Sequence, residues 1–292
     1  LLQDRDGFIF MGTDNGLCRY DGHAVTYYYN PLRSSDPFVS TLHAYGNGLL
    51  VGTSSGLCYF DCRTEQFSSF LPRIKTTVNQ VVDDRDGNLW ICTQRQGVFR
   101  YNKQTHDLRQ YSFPQSGGDI RALCIGIDNQ VWAYTSKGHP WLYRLNKASQ
   151  RFEPAGMGHA SFDGGGMSIL QDNDGTLWLG SWSHGLFCMD IDGSLKQIFN
   201  STLTGVRQHI HSLLYIAPHT LLIGCDDGLI RYDILTKRWI RYPESASNSN
   251  VSNDDRFVYT VIRDREGGLW YGTFYGGVKY ISPVSHRFTS FS

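Results

Sequence analysis

The chain has 292 residues, with 27 Lys and Arg against 27 Asp and Glu, and 14% of it is Phe, Tyr or Trp. Balanced charge removes the electrostatic footprint of a nucleic-acid or anionic-membrane binder, and the aromatic content excludes a disordered polymer, which lacks residues that bury surface. No run approaches the ~18 apolar residues of a membrane span, and no basic-then-apolar leader opens the chain.

In chain order, the elements begin mid-strand. Leu1-Leu2-Gln3-Asp4 reads as the tail of a strand, as expected of a piece trimmed from something longer. Asp6-Gly7 then marks a tight turn, followed by an apolar run to Gly12-Thr13 and another to Tyr20-Asp21. The same order returns through Asn47-Gly48, Gly52-Thr53 and Phe60-Asp61, and in full through Asp86-Gly87-Asn88-Leu89-Trp90-Ile91-Cys92-Thr93 and Gly97 to Tyr101. A fourth copy runs from Ile120 through Asp128-Asn129 and Trp132 to Leu145. It carries Tyr134 at the central glycine position and an inserted His139-Pro140-Trp141. Three more follow: Asp174-Gly175 with Trp178-Leu179-Gly180-Ser181, Thr220 with Leu222-Ile223-Gly224, and Gly267-Gly268 with Trp270-Tyr271-Gly272-Thr273.

The central position falls at 12, 52, 92, 134, 180, 224 and 272, so successive copies lie 40 to 48 residues apart. Each copy reads as four short strands. A first apolar run precedes an Asp-Gly or Gly-rich pair, which accepts the positive φ of a hairpin turn. A second run carries Trp or another large apolar residue two places before glycine, and a third opens on a second glycine. The fourth is more polar, as in Lys237-Arg238-Trp239-Ile240-Arg241-Tyr242. No sustained period of 3.6 argues for helix. Four antiparallel strands at this repeat length are one propeller blade. The expected fold is an all-β, seven-bladed β-propeller with blades near 1–30, 31–71, 72–114, 115–156, 157–200, 201–243 and 244–292, a single domain over 1–292. Apolar first strands should line the centre and polar fourth strands the rim. Trp90, Trp132, Trp178 and Trp270 should occupy equivalent buried places, with Phe10, Leu50 and Leu222 filling the other three.

This repeat, Asp-Gly-x-Leu-Trp-Ile-Gly-Thr-x-x-Gly-Leu-x-Arg-Tyr-Asp in its fullest form, resembles the two-component regulator propeller repeat, and the resemblance recurs along nearly the whole chain. It implies one propeller, the first of two, in the periplasmic sensor region of a hybrid two-component protein of a polysaccharide-degrading gut bacterium. In such proteins a second propeller, an immunoglobulin-like domain, a membrane helix, a histidine kinase and receiver and DNA-binding modules follow. The implied role is to detect a polysaccharide-derived oligosaccharide and signal to that kinase, with the second propeller and further domains as partners and a homodimer in the intact protein. No cofactor is implied.

Other chemistry is weakly supported by the residues. Seven cysteines (Cys18, Cys58, Cys62, Cys92, Cys124, Cys188, Cys225) show no paired C-x2-C spacing and sit mostly in apolar runs, so buried free thiols are expected. Asp4-Arg5-Asp6-Gly7 and its relatives are too short for a calcium loop and stand where each blade needs a turn. His209-Ile210-His211 has a spacing that metals use, but a zinc site needs further ligands, and only Asp226 or Asp227 is available to approach. The pair can equally meet a polar ligand. No G-x-S-x-G elbow occurs, and few carboxylates stand outside the repeat (Asp36, Asp119, Asp163, Asp254, Asp255), so a propeller lyase or glycosidase ranks last.

The varying loops are more informative. Connections from strand four to the next strand one, and from strand two to strand three, emerge at one end of the fold. They carry Arg33, Arg73, Lys75, Arg95, Trp141, Trp182, His184, Arg207, His209, Arg256, Phe274 and Tyr275. Trp182-Ser183-His184 and Phe274-Tyr275 stand where other blades have Asp14-Asn15 or Ser54-Ser55. Aromatic faces stack on the C–H faces of sugars, and Arg forks bind hydroxyls or carboxylates. Arg95, Trp141, Trp182, His184, Arg207, His209, Phe274 and Tyr275 are therefore the candidate ligand-binding residues. The alternative is that these aromatics pack against another propeller, in a protein-interaction module with no small ligand.

Overall fold

The computed structural model describes residues 1–33, 36–113, 117–137, 140–155, 165–199, 209–242, 257–283 and 288–291. They form seven four-stranded antiparallel sheets, each with its strands side by side in chain order, the fold of a seven-bladed β-propeller. Blade 1 comprises Leu2–Gln3, Ile9–Thr13, Gly16–Tyr20 and Val25–Tyr28; blade 2 comprises Val39–Tyr45, Gly48–Thr53, Gly56–Asp61 and Gln66–Phe70. Blade 3 is Val78–Asp83, Asn88–Thr93, Val98–Asn102 and Leu108–Tyr111; blade 4 is Ile120–Ile125, Val131–Thr135, Leu142–Asn146 and Arg151–Pro154. Blade 5 holds Gly166–Gln171, Leu177–Ser181, Leu186–Met189 and Leu195–Phe199; blade 6 holds Ile210–Ile216, Thr220–Cys225, Gly228–Asp233 and Trp239–Tyr242. Blade 7 is Val258–Arg263, Leu269–Thr273, Val278–Ile281 and Phe288–Phe291. Among the described residues the sole helical stretch is the 3-10 turn Pro31–Arg33, and no helix is long and apolar enough to cross a membrane.

The chain divides into two compact units. Leu1–Leu123 with Lys147–Phe152 form the first, and Cys124–Asn146 with Glu153–Ser292 the second. In the first unit, apolar side chains interlock between consecutive blades: Phe10, Leu17 and Tyr28 meet Val39, Leu49 and Phe60, and Leu50 and Leu57 meet Val78, Leu89 and Phe99. The central glycine of the repeat serves that packing, not a turn. A Cβ on Gly12 would lie 2.5 Å from Val39 Cγ1, and one on Gly52 would lie 3.2 Å from Val78 Cβ. Only a residue without a side chain lets the next blade approach this closely.

The second unit repeats the arrangement. Trp178, Leu186 and Phe199 meet Ile210, Leu221 and Ile223, and Leu222 and Leu229 meet Val258, Val261 and Tyr271. A Cβ on Gly180 would fall 2.5 Å from Ile210 Cγ2, and one on Gly224 would fall 2.8 Å from the Val258 carbonyl oxygen. Blade 4 solves the same problem in reverse. Tyr134 replaces the glycine, and the facing position on the next first strand is itself Gly166, where a Cβ would lie 2.5 Å from the Tyr134 ring.

The repeated aspartate is a structural device. Asp84 Oδ1 accepts the backbone N–H groups of Asp86 and Asn88, at 2.9 and 2.8 Å, and Oδ2 accepts the indole N–H of Trp90 at 2.7 Å. Asp172 and Asp264 take the indoles of Trp178 and Trp270 in the same way, each at 2.8 Å. Each carboxylate thus closes the hairpin and satisfies a core tryptophan, whose N–H would otherwise be buried unpaired.

Phe10, Leu50, Trp90, Trp178, Leu222 and Trp270 are all buried, as the repeat requires. Trp132 departs from the expectation and is only partly buried. Six residues upstream its blade has Gly126 instead of aspartate, with the Gln171 side-chain oxygen 2.5 Å from where a Cβ would stand. The Trp132 indole N–H accordingly has no hydrogen-bond partner among the described residues.

All seven cysteines are free, six of them buried and Cys62 half-buried. Burial pushes the thiols of Cys92, Cys124 and Cys225 up to about 12 and that of Cys62 up to about 11, where the reactive thiolate is scarce at neutral pH. Ellman's reagent at pH 8 should therefore give little colour until denaturant is added. Rapid labelling of more than one thiol in the native protein would contradict this burial.

Candidate functional site

Two features build one end of the blade. The first closes the loop between strands two and three. The side chain ending strand two reaches the carbonyl of the glycine at or just before the start of strand three: Thr13 to Gly16, Thr53 to Gly56, Thr93 to Gly97, Ser181 to Gly185 and Thr273 to Gly277, all within 2.8–3.0 Å. Thr135 reaches Trp141, and Cys225 reaches Gly228 through its thiol. The loop tip therefore stands on a fixed base.

The second feature is a bulge in strand one. In blades 2, 3, 5, 6 and 7 the pairing with strand two skips one residue: Ser40, Asn79, Met167, His211 and Tyr259 respectively. Bulges re-aim a side chain out of the ladder. In blades 2 and 3 the bulged residue ties into the next blade, Ser40 Oγ donating to the Val78 carbonyl at 2.6 Å and Asn79 Nδ2 to the Ile120 carbonyl at 2.7 Å. His211 and Tyr259 instead stack on each other, with ring centroids 4.1 Å apart at 15°.

Around that pair, wholly within the second unit, the loop residues following the strand-two anchor complete a continuous row. Trp182 stacks on His209 at 4.0 Å and 10°, and stands edge-on to His211 at 6.0 Å. Tyr259 lies 5.2 Å from Phe274, which meets Tyr275 edge-on at 4.4 Å. Backbone bonds hold the loops: Trp182 N–H donates to the Gly165 carbonyl at 2.9 Å, and Phe274 N–H to that of Phe257 at 3.0 Å. Trp182, Tyr259, Phe274 and Tyr275 are 45%, 40%, 48% and 69% exposed, a concentration of aromatic surface of the kind found at ligand and protein interfaces.

At the middle of the row lies Asp226, the loop residue of blade 6. Its Oδ2 is 2.6 Å from His209 Nδ1 and its Oδ1 is 2.7 Å from His211 Nε2. The neighbouring Asp227 pairs with Arg241. Among the described residues no group of three His, Cys, Asp or Glu is placed to hold a metal ion. The two imidazoles share a carboxylate as hydrogen-bond partners.

Of the sequence candidates, the structure brings Trp182, His209, Phe274 and Tyr275 together. His184 sits beside the row, its Nδ1 2.8 Å from Ser183 Oγ and its backbone N–H bonded to Ser181 Oγ at 2.9 Å. Arg95 is exposed and belongs to the first unit. Trp141 is not a surface residue: it is only 3% exposed, its ring 6.1 Å from that of Tyr134. Trp141 packs inward beside Tyr134. Arg207 and Arg256 lie outside the described residues. The sequence reading missed Tyr259 and the shared role of Asp226. Their signal was the position relative to the repeat, one place after Val258 and one after the strand-two anchor Cys225.

This geometry belongs to a recognisable class. The family model described as Two component regulator propeller matches residues 167–183, from the bulged Met167 to the Trp182-Ser183 loop. The chain is thus a seven-bladed propeller carrying that repeat. Over 96% of its length it is similar in fold to the extracellular domain of the putative one component system BT4673 from B. thetaiotaomicron, with TM-score 0.81 and 24% identity. A second structure of that extracellular domain, described as from a putative hybrid two component system, gives TM-score 0.80 and 23% identity, again over 96% of the chain. In both, the chain spans 37% of the length of the solved relative. The virginiamycin B lyase of Staphylococcus aureus shares the fold over 93% of this chain and 90% of its own, with TM-score 0.73 and 14% identity. No curated protein matches the chain.

Proposed function

We propose that this chain is a non-catalytic sensor propeller of a hybrid two-component signalling protein. In this reading it is exposed on the periplasmic side of a membrane and binds a polysaccharide-derived oligosaccharide along the row from Trp182 to Tyr275. The row itself carries the proposal. Exposed aromatic faces offer stacking surface for the C–H faces of sugar rings, and the imidazoles between them offer directional polar contacts for hydroxyls, the combination that fixes orientation in ligand sites. The repeat, and the likeness to extracellular domains described for two-component systems, support the signalling role. The kinase belongs to other parts of such a protein, as do the second propeller and a homodimer contact.

A blade bonded to its neighbours along both sides deforms little, and a ligand shifts an equilibrium only by its difference in affinity between two states. The row is therefore a half-site, completed by another propeller or another protomer. Calorimetric titration of a panel of plant and host oligosaccharides into this chain and into the intact protein tests both points. The intact protein should bind the same oligosaccharide more tightly. Trp182→Ala with Tyr275→Ala should weaken binding by about tenfold or more, the worth of two lost aromatic contacts. Equal affinity in the two proteins, or indifference to the double substitution, identifies the wrong face. Release of new sugar ends from the panel would overturn the non-catalytic reading.

A further inference from the structure

The row contains a polar centre that the aromatic reading leaves unused. A carboxylate only accepts hydrogen bonds, so each imidazole nitrogen facing Asp226 carries its hydrogen. That assigns N–H to Nδ1 of His209 and to Nε2 of His211, opposite arrangements imposed by one residue. In the neutral ring the remaining nitrogen is then an acceptor. For His211 this is Nδ1, which is buried without a partner among the described residues. For His209, whose side chain is 25% exposed, it is Nε2, on a ring held flat against Trp182. Nothing else in the repeat requires this arrangement: the residues at the position of Asp226 are Asp14, Ser54, Gln94 and Ser136 in blades 1 to 4, and Trp182 and Phe274 in the flanking blades.

We propose that Asp226 is the positioning residue of this face. It pins both imidazoles in the stacked row and keeps His209 Nε2 as an acceptor, so that the ligand is read through a hydroxyl hydrogen it donates there. The proposal rests on the preceding reading for the identity of the face. Its own content is the tautomer that Asp226 imposes and the specificity that follows. An amide at position 226 presents one acceptor and one donor in place of two acceptors, so one imidazole must take the other tautomer. His209 is the ring that switches, because an Nδ1–H on His211 would be a buried, unpaired donor. In Asp226→Asn the exposed nitrogen of His209 therefore becomes a donor, with the aromatic row unchanged.

The test begins without any sugar. Nitrogen-15 NMR of histidine-labelled protein at pH 8, where an ordinary imidazole is neutral, should show His209 as the Nδ1–H form and His211 as the Nε2–H form. Asp226→Asn should convert His209 to the Nε2–H form while thermal stability stays close to the parent. Diethyl pyrocarbonate, which acylates the ring nitrogen holding the lone pair, should modify His209 readily and His211 hardly at all. The Asn variant should slow the His209 reaction several-fold. A common tautomer in both rings, or a His209 rate indifferent to the Asn variant, overturns the proposal whatever the panel shows. In the second arm, 2-deoxy and O-methyl derivatives of cellotetraose are titrated against the parent sugar. Loss of affinity on removing one hydroxyl, a preference abolished in Asp226→Asn, is the expected result. If every derivative matches cellotetraose, or none of the sugars binds while the tautomers stand as assigned, the face is not a hydroxyl reader and the specificity claim falls.

Discussion

Gly166→Val destabilises the protein by about 3 kcal/mol, the upper part of the range for overpacking a well-filled core. The new Cβ would fall 2.5 Å from two carbons of the Tyr134 ring, which is wholly buried and has no room to retreat. Tyr134→Gly alone leaves a void the size of that ring and loses about 4 kcal/mol. The two substitutions together restore the arrangement of the other blades, in which glycine on strand two faces Val39, Ile210 or Val258 on the next strand one. The double variant should therefore be more stable than either single one, with a coupling of about 2 kcal/mol or more in a urea-denaturation cycle. Strictly additive losses would mean that the two positions are not compensating. Tyr134→Phe separates the ring from its hydroxyl. That hydroxyl has no partner among the described residues, and burial raises its pKa, so its removal should be neutral or stabilising.

Trp178→Ala should cost about 3–5 kcal/mol, the range for emptying a large aromatic site. The indole is buried between blades 5 and 6 against Tyr232, and its N–H is bonded to Asp172. Removing it also leaves one carboxylate oxygen of a buried aspartate unpaired. Trp132→Ala makes the matched control in the same unit. Trp132 is only partly buried and its N–H is unpaired, so its loss should be the smaller of the two. Equal losses in chemical denaturation would show that the aspartate–indole bond contributes nothing measurable.

The architecture was legible because its constraints are local and repeated. A glycine where blades touch, a hydroxyl at the end of strand two and an Asp-Gly turn each leave a residue type at a fixed offset, and those offsets count the blades. Where one constraint was traded for another, reading by likeness failed. Trp132 looked equivalent to Trp90, yet the aspartate that would hold it is Gly126, six residues upstream and outside the motif as read. Trp141 looked like a loop aromatic because it sits in an insertion. Its burial follows from Tyr134, a departure visible in the sequence whose spatial consequence was not. The site was half legible. Trp182, His209, Phe274 and Tyr275 stood out as aromatic or imidazole residues where other blades have small polar ones. Tyr259 did not, because strict alternation along a strand assigns it a face that the bulge then changes. Asp226 was visible as a neighbour, but only the fold shows one carboxylate serving two rings.

The anchor at the end of strand two divides the chain into two kinds of text. Up to Thr13, Thr53, Thr93, Ser181 or Thr273 each residue answers to the blade, and from the glycine carbonyl that accepts the hydroxyl it does so again. What lies between those points is excused from holding the sheet together. Asp14-Asn15 and Trp182-Ser183-His184 are interchangeable as far as the scaffold is concerned, although one is short and polar and the other presents an indole. A lineage can therefore rewrite the proposed recognition surface one fingertip at a time without renegotiating the hand. Under the proposed reading, new specificities in such a protein should accumulate at these exempt positions and at the strand-one bulges, with the seven cores passed on intact.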